Sequence, residues 1–114
     1  APAAAQALRD ALAQANRYAF DEARELRAAI ARAHSTDETR VVVGCGSTDV
    51  LRAAASAHLT LARPLVTADP SYESPVRDAA RLGAAVRAIP VDRALRLDLA
   101  KMREAARGAG LVYL

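Results

Sequence analysis

Residues 41–51 read VVVGCGSTDVL, and no other stretch narrows the possible folds as far. Three consecutive β-branched valines suit a strand buried on both faces. Gly44 and Gly46 then allow a tight turn and let the backbone approach a ligand with no Cβ in the way. Ser47 onward opens a helix. Its first N–H groups, at Ser47, Thr48 and Asp49, have no partner inside the helix. The helix dipole favours an anion there. With the hydroxyls of Ser47 and Thr48 added, a phosphate monoester suits the turn. An ordinary strand–turn–helix junction, with serine or threonine as its N-cap, would leave the same residues, so the stretch alone leaves both readings open. Two nucleotide motifs are excluded. The dinucleotide fingerprint needs a third glycine where Asp49 stands, and the P-loop needs a lysine before its serine or threonine.

Around this stretch, helical and extended patterns alternate. Residues 3–15 are alanine-rich, with Leu8 and Leu12 at helical spacing. Asp21 can cap a second helix whose Ala23, Leu26, Ala29, Ile30 and Ala33 share a face, and residues 34–37 end it. The Ser47 helix extends to about Leu59. Leu65 to Ala68 form a short strand, and residues 69–75 (DPSYESP) form a loop. Pro75 suits the first turn of a helix running to Leu82, with Gly83 as its C-cap. Residues 85–90 form another strand. Asp98 or a neighbour opens a last helix that closes near residues 108–110, and residues 111–114 begin a fourth strand. Strands alternating with helices predict an α/β fold, a three-layer and mainly parallel sheet preceded by N-terminal helices.

The 114 residues allow at most one small domain. Hydrophobic content is 53%, but half of it is alanine, with three Tyr, one Phe and no Trp. Alanine favours helix yet buries little area, so the core is expected to be thin and the isolated chain unstable. Net charge is +3, from 16 basic and 13 acidic residues. The basic residues are all arginine except Lys101, and they are interleaved with acids, as a solvated surface is. A nucleic-acid face would cluster them. One cysteine permits no internal disulfide and no thiolate cage. No apolar run approaches a membrane span, and no signal peptide is visible. Together these suggest a cytoplasmic protein with neither nucleic-acid nor membrane partners, although the chain begins at Ala1 rather than Met.

Among the remaining candidates, Tyr72 follows the Leu65 strand, so its loop can lie at the carboxyl end of the sheet, where α/β folds bind ligands. It offers a flat ring for stacking and a hydroxyl for orientation, though a packing tyrosine would look the same. Tyr18, taken alone, reads as a packing residue at a helix junction. His34 and His58 have no companions at metal-ligand spacing, so no metal site is expected. Cys45 reads as a small core residue.

Taken in order, NRY at 16–18, VVVGCGSTD at 41–49, VTADPSY at 66–72, RLGA at 81–84, LRLDL at 95–99 and LVYL at 111–114 resemble the fold-type I pyridoxal-phosphate enzymes. The resemblance is strongest to class I/II aminotransferases of the histidinol-phosphate aminotransferase type, and it spans nearly the whole chain. It implies that residues 1–38 are an N-terminal helical segment and that 39–114 are the first part of the large domain that binds pyridoxal phosphate. It implies further that Gly46, Ser47 and Thr48 form the phosphate cup and that Tyr72 stacks on the pyridine ring. Tyr18 would reach the cofactor phosphate of the other subunit of a homodimer.

The chain departs from the pattern where the family usually reads Tyr-Pro-Asp, having YAFD at 18–21. It departs again at residues 61–64 (LARP), in place of a Pro-Gly-Asp turn. By the resemblance, the Schiff-base lysine, the aspartate facing the pyridine nitrogen and the arginine that takes the substrate carboxylate would lie beyond Leu114. Lys101 does not match the catalytic lysine and reads as a solvated side chain. The implied function is amino transfer between an amino acid and a 2-oxo acid, with this segment anchoring the cofactor and no catalytic residue of its own. Other chemistry on the same fold, and a non-catalytic α/β module for a small phosphorylated ligand, are the alternatives.

Overall fold

The computed structural model describes residues 1–18 and 20–114; Ala19, inside the departure at 18–21, lies outside the described residues. The chain divides into two compact units, Ala1–Val43 and Gly44–Leu114.

In the first unit, helix α1 (Pro2–Ala11) runs into a 3-10 turn at Leu12–Gln14, and helix α2 (Phe20–Ala33) follows. Pro2 in the first turn of α1 costs no hydrogen bond, because its N–H would have been free. Ser35 adopts φ 50° just beyond α2, and the Thr36 amide returns to the Ala31 carbonyl, closing the helix. A 3-10 turn at Glu38–Arg40 is capped by Asp37, whose Oδ1 accepts from the Thr39 amide at 2.8 Å and the Thr39 hydroxyl at 2.6 Å. Those two bonds, the hydroxyl's first, hold the Asp37 carboxyl below its ordinary pKa. Ala31 is the single buried apolar residue among those described in this unit.

The expected valine strand is not there. Residues 41–43 belong to no strand, and Val42 is 70% exposed. Val41 is extended, at φ −109° and ψ 123°, as a β-branched residue prefers. A strand also needs a neighbouring strand to satisfy its backbone, and none among the described residues pairs with this run.

The second unit is a three-layer α/β arrangement. Strands β1 (Leu65–Asp69), β2 (Val86–Pro90) and β3 (Leu111–Tyr113) form a parallel sheet in the order β2-β1-β3. The register pairs Leu65 with Val86 and with Leu111, and Thr67 with Ala88 and with Tyr113. Side chains alternate across a strand, so Leu65, Val86, Leu111 and Tyr113 share one face. That face packs on helices α3 (Ser47–His58) and α4 (Ser74–Arg81) through Ala55, Leu59, Ala79 and Ala84. On the other face, helix α5 (Leu99–Ala105) lies against β1 and β2 with Met102 buried. Arg87 of β2 donates to the Ala105 and Arg107 carbonyls, tying off the end of α5.

Helix ends follow the sequence signals closely. Pro75 occupies the first turn of α4. Gly83, at φ 69°, closes that helix, with the Ala84 amide returning to Ala79 and the Gly83 amide to Ala80. Asp98 caps α5 by accepting from the Lys101 amide at 3.0 Å. Five of the nine buried apolar residues among those described are alanine, so the core is as thin as the composition implies.

Candidate functional site

The turn before α3 has the conformation the glycines suggest. Gly46 is the N-cap, at φ 84° and ψ 172°, a region that essentially only glycine occupies. It supplies no side-chain cap. Ser47 and Thr48 therefore stand inside the first helical turn, and neither is the N-cap that the plain junction reading required. The α3 N-terminus presents the Ser47, Thr48 and Asp49 amides together with two hydroxyls, and no side chain covers them from the cap position.

Asp49 has a role the sequence reading missed. Its Oδ2 accepts from the Cys45 amide at 3.1 Å, turning the carboxylate back onto the chain that precedes the helix. An acid in the first turn of a helix can reach back to a preceding N–H; here that N–H belongs to Cys45, one residue before the Gly46 cap, and the position of Asp49 three residues after Gly46 was the available signal. Gly44 makes room for it: a Cβ built there would stand 2.7 Å from Asp49 Oδ2 and 3.2 Å from Val50 Cγ2. Cys45, expected in the core, is exposed.

Tyr72 comes to the same place. It lies in the loop that follows β1, and its hydroxyl stands 3.4 Å from Thr48 Oγ1, a long hydrogen bond in which either group can donate. Tyr72 is 49% exposed, so its ring is partly open to solvent. The candidate phosphate turn and the candidate stacking ring, 24 residues apart in the chain, thus meet at one end of the second unit. The site opens at the α3 N-terminus and the carboxyl end of β1, and the strand expected at residues 41–43 is not there to contribute its own end.

The other candidates lie apart from this cluster in role. Tyr18 belongs to the Ala1–Val43 unit, is 88% exposed, and has its ring centroid 5.5 Å from that of Phe20. It is therefore not the buried packing residue expected from its place in the sequence. Lys101 is exposed on α5 and pairs with Asp98 at 3.0 Å, in keeping with a solvated role. An open groove of about 460 Å³ lies between α4 and the edge of the sheet, lined by Thr67, Asp69, Ser71, Glu73, Arg77 and Ala88 among others. Neither Tyr72 nor Thr48 contributes to it. Among the described residues, no helix is long and apolar enough to cross a membrane.

Comparison with known proteins bears on the family and the fold. Residues 1–111 match the family model for aminotransferase class I and II. The histidinol-phosphate aminotransferase of Symbiobacterium thermophilum is 35% identical over 114 aligned residues, which cover 99% of this chain and 31% of that protein. A solved structure from Erwinia carotovora atroseptica, provisionally assigned as a histidinol-phosphate aminotransferase, superposes with a TM-score of 0.92 at 30% identity. The match covers 100% of this chain and 34% of that one. The Sinorhizobium meliloti histidinol-phosphate aminotransferase, solved in complex with pyridoxal-5'-phosphate, gives a TM-score of 0.86 at 28% identity, covering 100% and 31%. The chain spans about a third of the length of these proteins. Its α/β fold is that of the pyridoxal-phosphate-dependent transferases' large domain with helices before it, and the chain belongs to the aminotransferase class I and II family.

Proposed function

We propose that this chain supplies the cofactor-anchoring part of a pyridoxal-phosphate-dependent aminotransferase that moves an amino group between an amino acid and a 2-oxo acid. The observation that carries the reading is the approach of Tyr72 Oη to Thr48 Oγ1 at a helix N-terminus that no side chain caps. The residues fit the group. The amides and hydroxyls of Ser47 and Thr48, with Gly46 in its glycine-only conformation, would hold the phosphate. The Tyr72 ring would lie against the pyridine ring, with its hydroxyl held by Thr48. When bound, pyridoxal phosphate supplies the electron sink for amino-group chemistry. This chain's residues bind and orient it, and the Asp49 carboxylate is held back on the Cys45 amide.

Tyr18 would belong to the neighbouring site of a homodimer, reaching the partner subunit's cofactor phosphate. Residues 39–114 would form the first part of the cofactor-binding domain, after a helical segment at 1–38. The 114 residues alone are expected not to transaminate, because their one lysine, Lys101, is exposed on α5 and paired with Asp98.

The test compares two probes on one variant. Pyridoxamine 5'-phosphate keeps the ring and phosphate but cannot condense with Lys101 or the N-terminal amine. Tyr72→Ala should weaken it about tenfold or more, the size of a lost aromatic stacking contact. Inorganic phosphate should bind with nearly unchanged affinity. Equal loss for both probes, or none, refutes the ring-stacking role and leaves a plain phosphate-binding module.

A further inference from the structure

Below the candidate site, α3 and α4 are joined by a charged contact that the proposed anchoring does not use. Asp78 of α4 is 4% exposed. Its Oδ1 accepts from Arg81 Nη1 at 3.1 Å and lies 3.6 Å from Arg52 Nε of α3. Its Oδ2 is buried with no hydrogen-bond partner among the described residues. A carboxylate taken this far out of water is costly to keep, and an arrangement of this kind is retained most reliably where it fixes register between elements.

The register it would fix is that of the site. Arg52 stands one turn below Thr48 on α3, so the two share a face. Asp78 stands one turn below Ser74, where α4 begins two residues after Tyr72. Beside this contact, Ala55 of α3 and Ala79 of α4, both fully buried, belong to one core cluster with Leu59 and Leu65. The α3–α4 seam therefore carries the Thr48–Tyr72 hydroxyl pair at its top and the Arg52–Asp78 contact one turn below it, beside the buried alanines. Packing of small apolar side chains is non-directional and does little to fix the register of one helix against the other. The Arg52–Asp78 ion pair, at 3.6 Å, is the charged contact across the seam among the described residues.

We propose that Asp78, through Arg52, is a positioning residue that holds the phosphate turn and the Tyr72 loop in register. This rests on the reading of the site as a pyridoxal-phosphate anchor, but its structural half does not. Arg81 sits on the same helix as Asp78 and bonds to its Oδ1 without joining the helices. Arg52 is the charged partner of Asp78 on α3 among the described residues.

The experiment uses the 114-residue chain, isotope-labelled, with Asp78→Asn, Asp78→Glu and Arg52→Gln. Two readouts are taken on each: the nuclear Overhauser contact between the Thr48 methyl and the Tyr72 ring without ligand, and the dissociation constant for pyridoxamine 5'-phosphate. In Asp78→Asn the contact should weaken and affinity fall about fivefold, a typical size for coupling carried through packed neighbours. The β1 and β3 amide resonances should stay in place, and Asp78→Glu should recover part of both losses. If Asp78→Asn does not fold, Arg52→Gln decides, because it leaves Asp78 paired with Arg81. A folded Arg52→Gln or Asp78→Asn variant with the contact and the affinity unchanged overturns the proposal. If the unaltered chain binds no pyridoxamine phosphate, the anchoring reading fails. The Thr48–Tyr72 contact then still supports or refutes the register role by itself.

Discussion

Gly46→Ala separates the conformation of the turn from its surroundings. A Cβ at Gly46 meets nothing within 4 Å, so the substitution produces no clash. What it changes is the backbone: φ 84° with ψ 172° costs a non-glycine residue about 1–3 kcal/mol. Gly108 is the matched control. It also has a positive φ, 70°, and also meets nothing within 4 Å, but it lies beyond α5. Gly108→Ala should cost about 1–2 kcal/mol, the usual left-handed penalty. Both variants should therefore lower the thermal midpoint, by roughly 4–8 °C per kcal/mol for a domain of this size. Only Gly46→Ala should weaken inorganic phosphate, because the strain is relieved by turning the Ser47 and Thr48 amides away from their common target. Urea melts give the stabilities, and a phosphate titration followed at those amides gives the affinity. Equal phosphate affinity in the two variants, at similar loss of stability, would refute the reasoning that the Gly46 conformation builds the anion site.

Gly110→Ala should be far more damaging than either, because its Cβ would run into the backbone carbonyl of His58, which cannot swing aside as a side chain can; a loss of about 3 kcal/mol or more, or failure to fold, is expected in urea melts. Leu65→Ala, at a fully buried position in the cluster between the sheet and α3–α4, should cost about 2–5 kcal/mol by the same measurement. Acid should loosen the start of α5. The Lys101 amide, and then its ammonium, hold the Asp98 carboxyl below its ordinary value of 3.8. With a folded pKa depressed in this way, the cap's contribution is complete above 3.8 and is lost as pH falls through the lower, folded value. The Lys101 amide should therefore exchange faster with solvent at that acid extreme, and Asp98→Asn, which still caps, should remove the pH dependence.

The second unit was legible in the sequence almost element by element because its signals are local. Pro75 and Gly83 bracket α4, Asp98 opens α5, and the strands read at 65–68 and 85–90 fall on β1 and β2. The valine run failed for the complementary reason. Residues 41–43 have the strongest strand propensity in the chain, but propensity does not supply a neighbouring strand, and the run stays unpaired and partly exposed. Cys45 failed too: the general burial of free cysteines predicted a core position, and it is exposed. The candidate site was half legible: Gly46, Ser47 and Thr48 read as a candidate phosphate turn, and Tyr72 as a candidate stacking ring. Their meeting at 3.4 Å depends on how α3 packs beside α4, which no local pattern encodes. The Arg52–Asp78 contact was hidden the same way, as two unremarkable charges 26 residues apart until the helices are side by side.

The most direct test of the central claim is a residue-resolved titration of this chain with pyridoxamine 5'-phosphate, pyridoxamine and inorganic phosphate. The account predicts that the phosphorylated ring moves the Ser47, Thr48 and Asp49 amides and the Tyr72 ring protons along one saturating curve. Phosphate alone should move the amides and leave the ring protons still, and unphosphorylated pyridoxamine should bind far more weakly. Shifts that fall outside these residues, or a phosphorylated ring that binds no more tightly than inorganic phosphate, would contradict it.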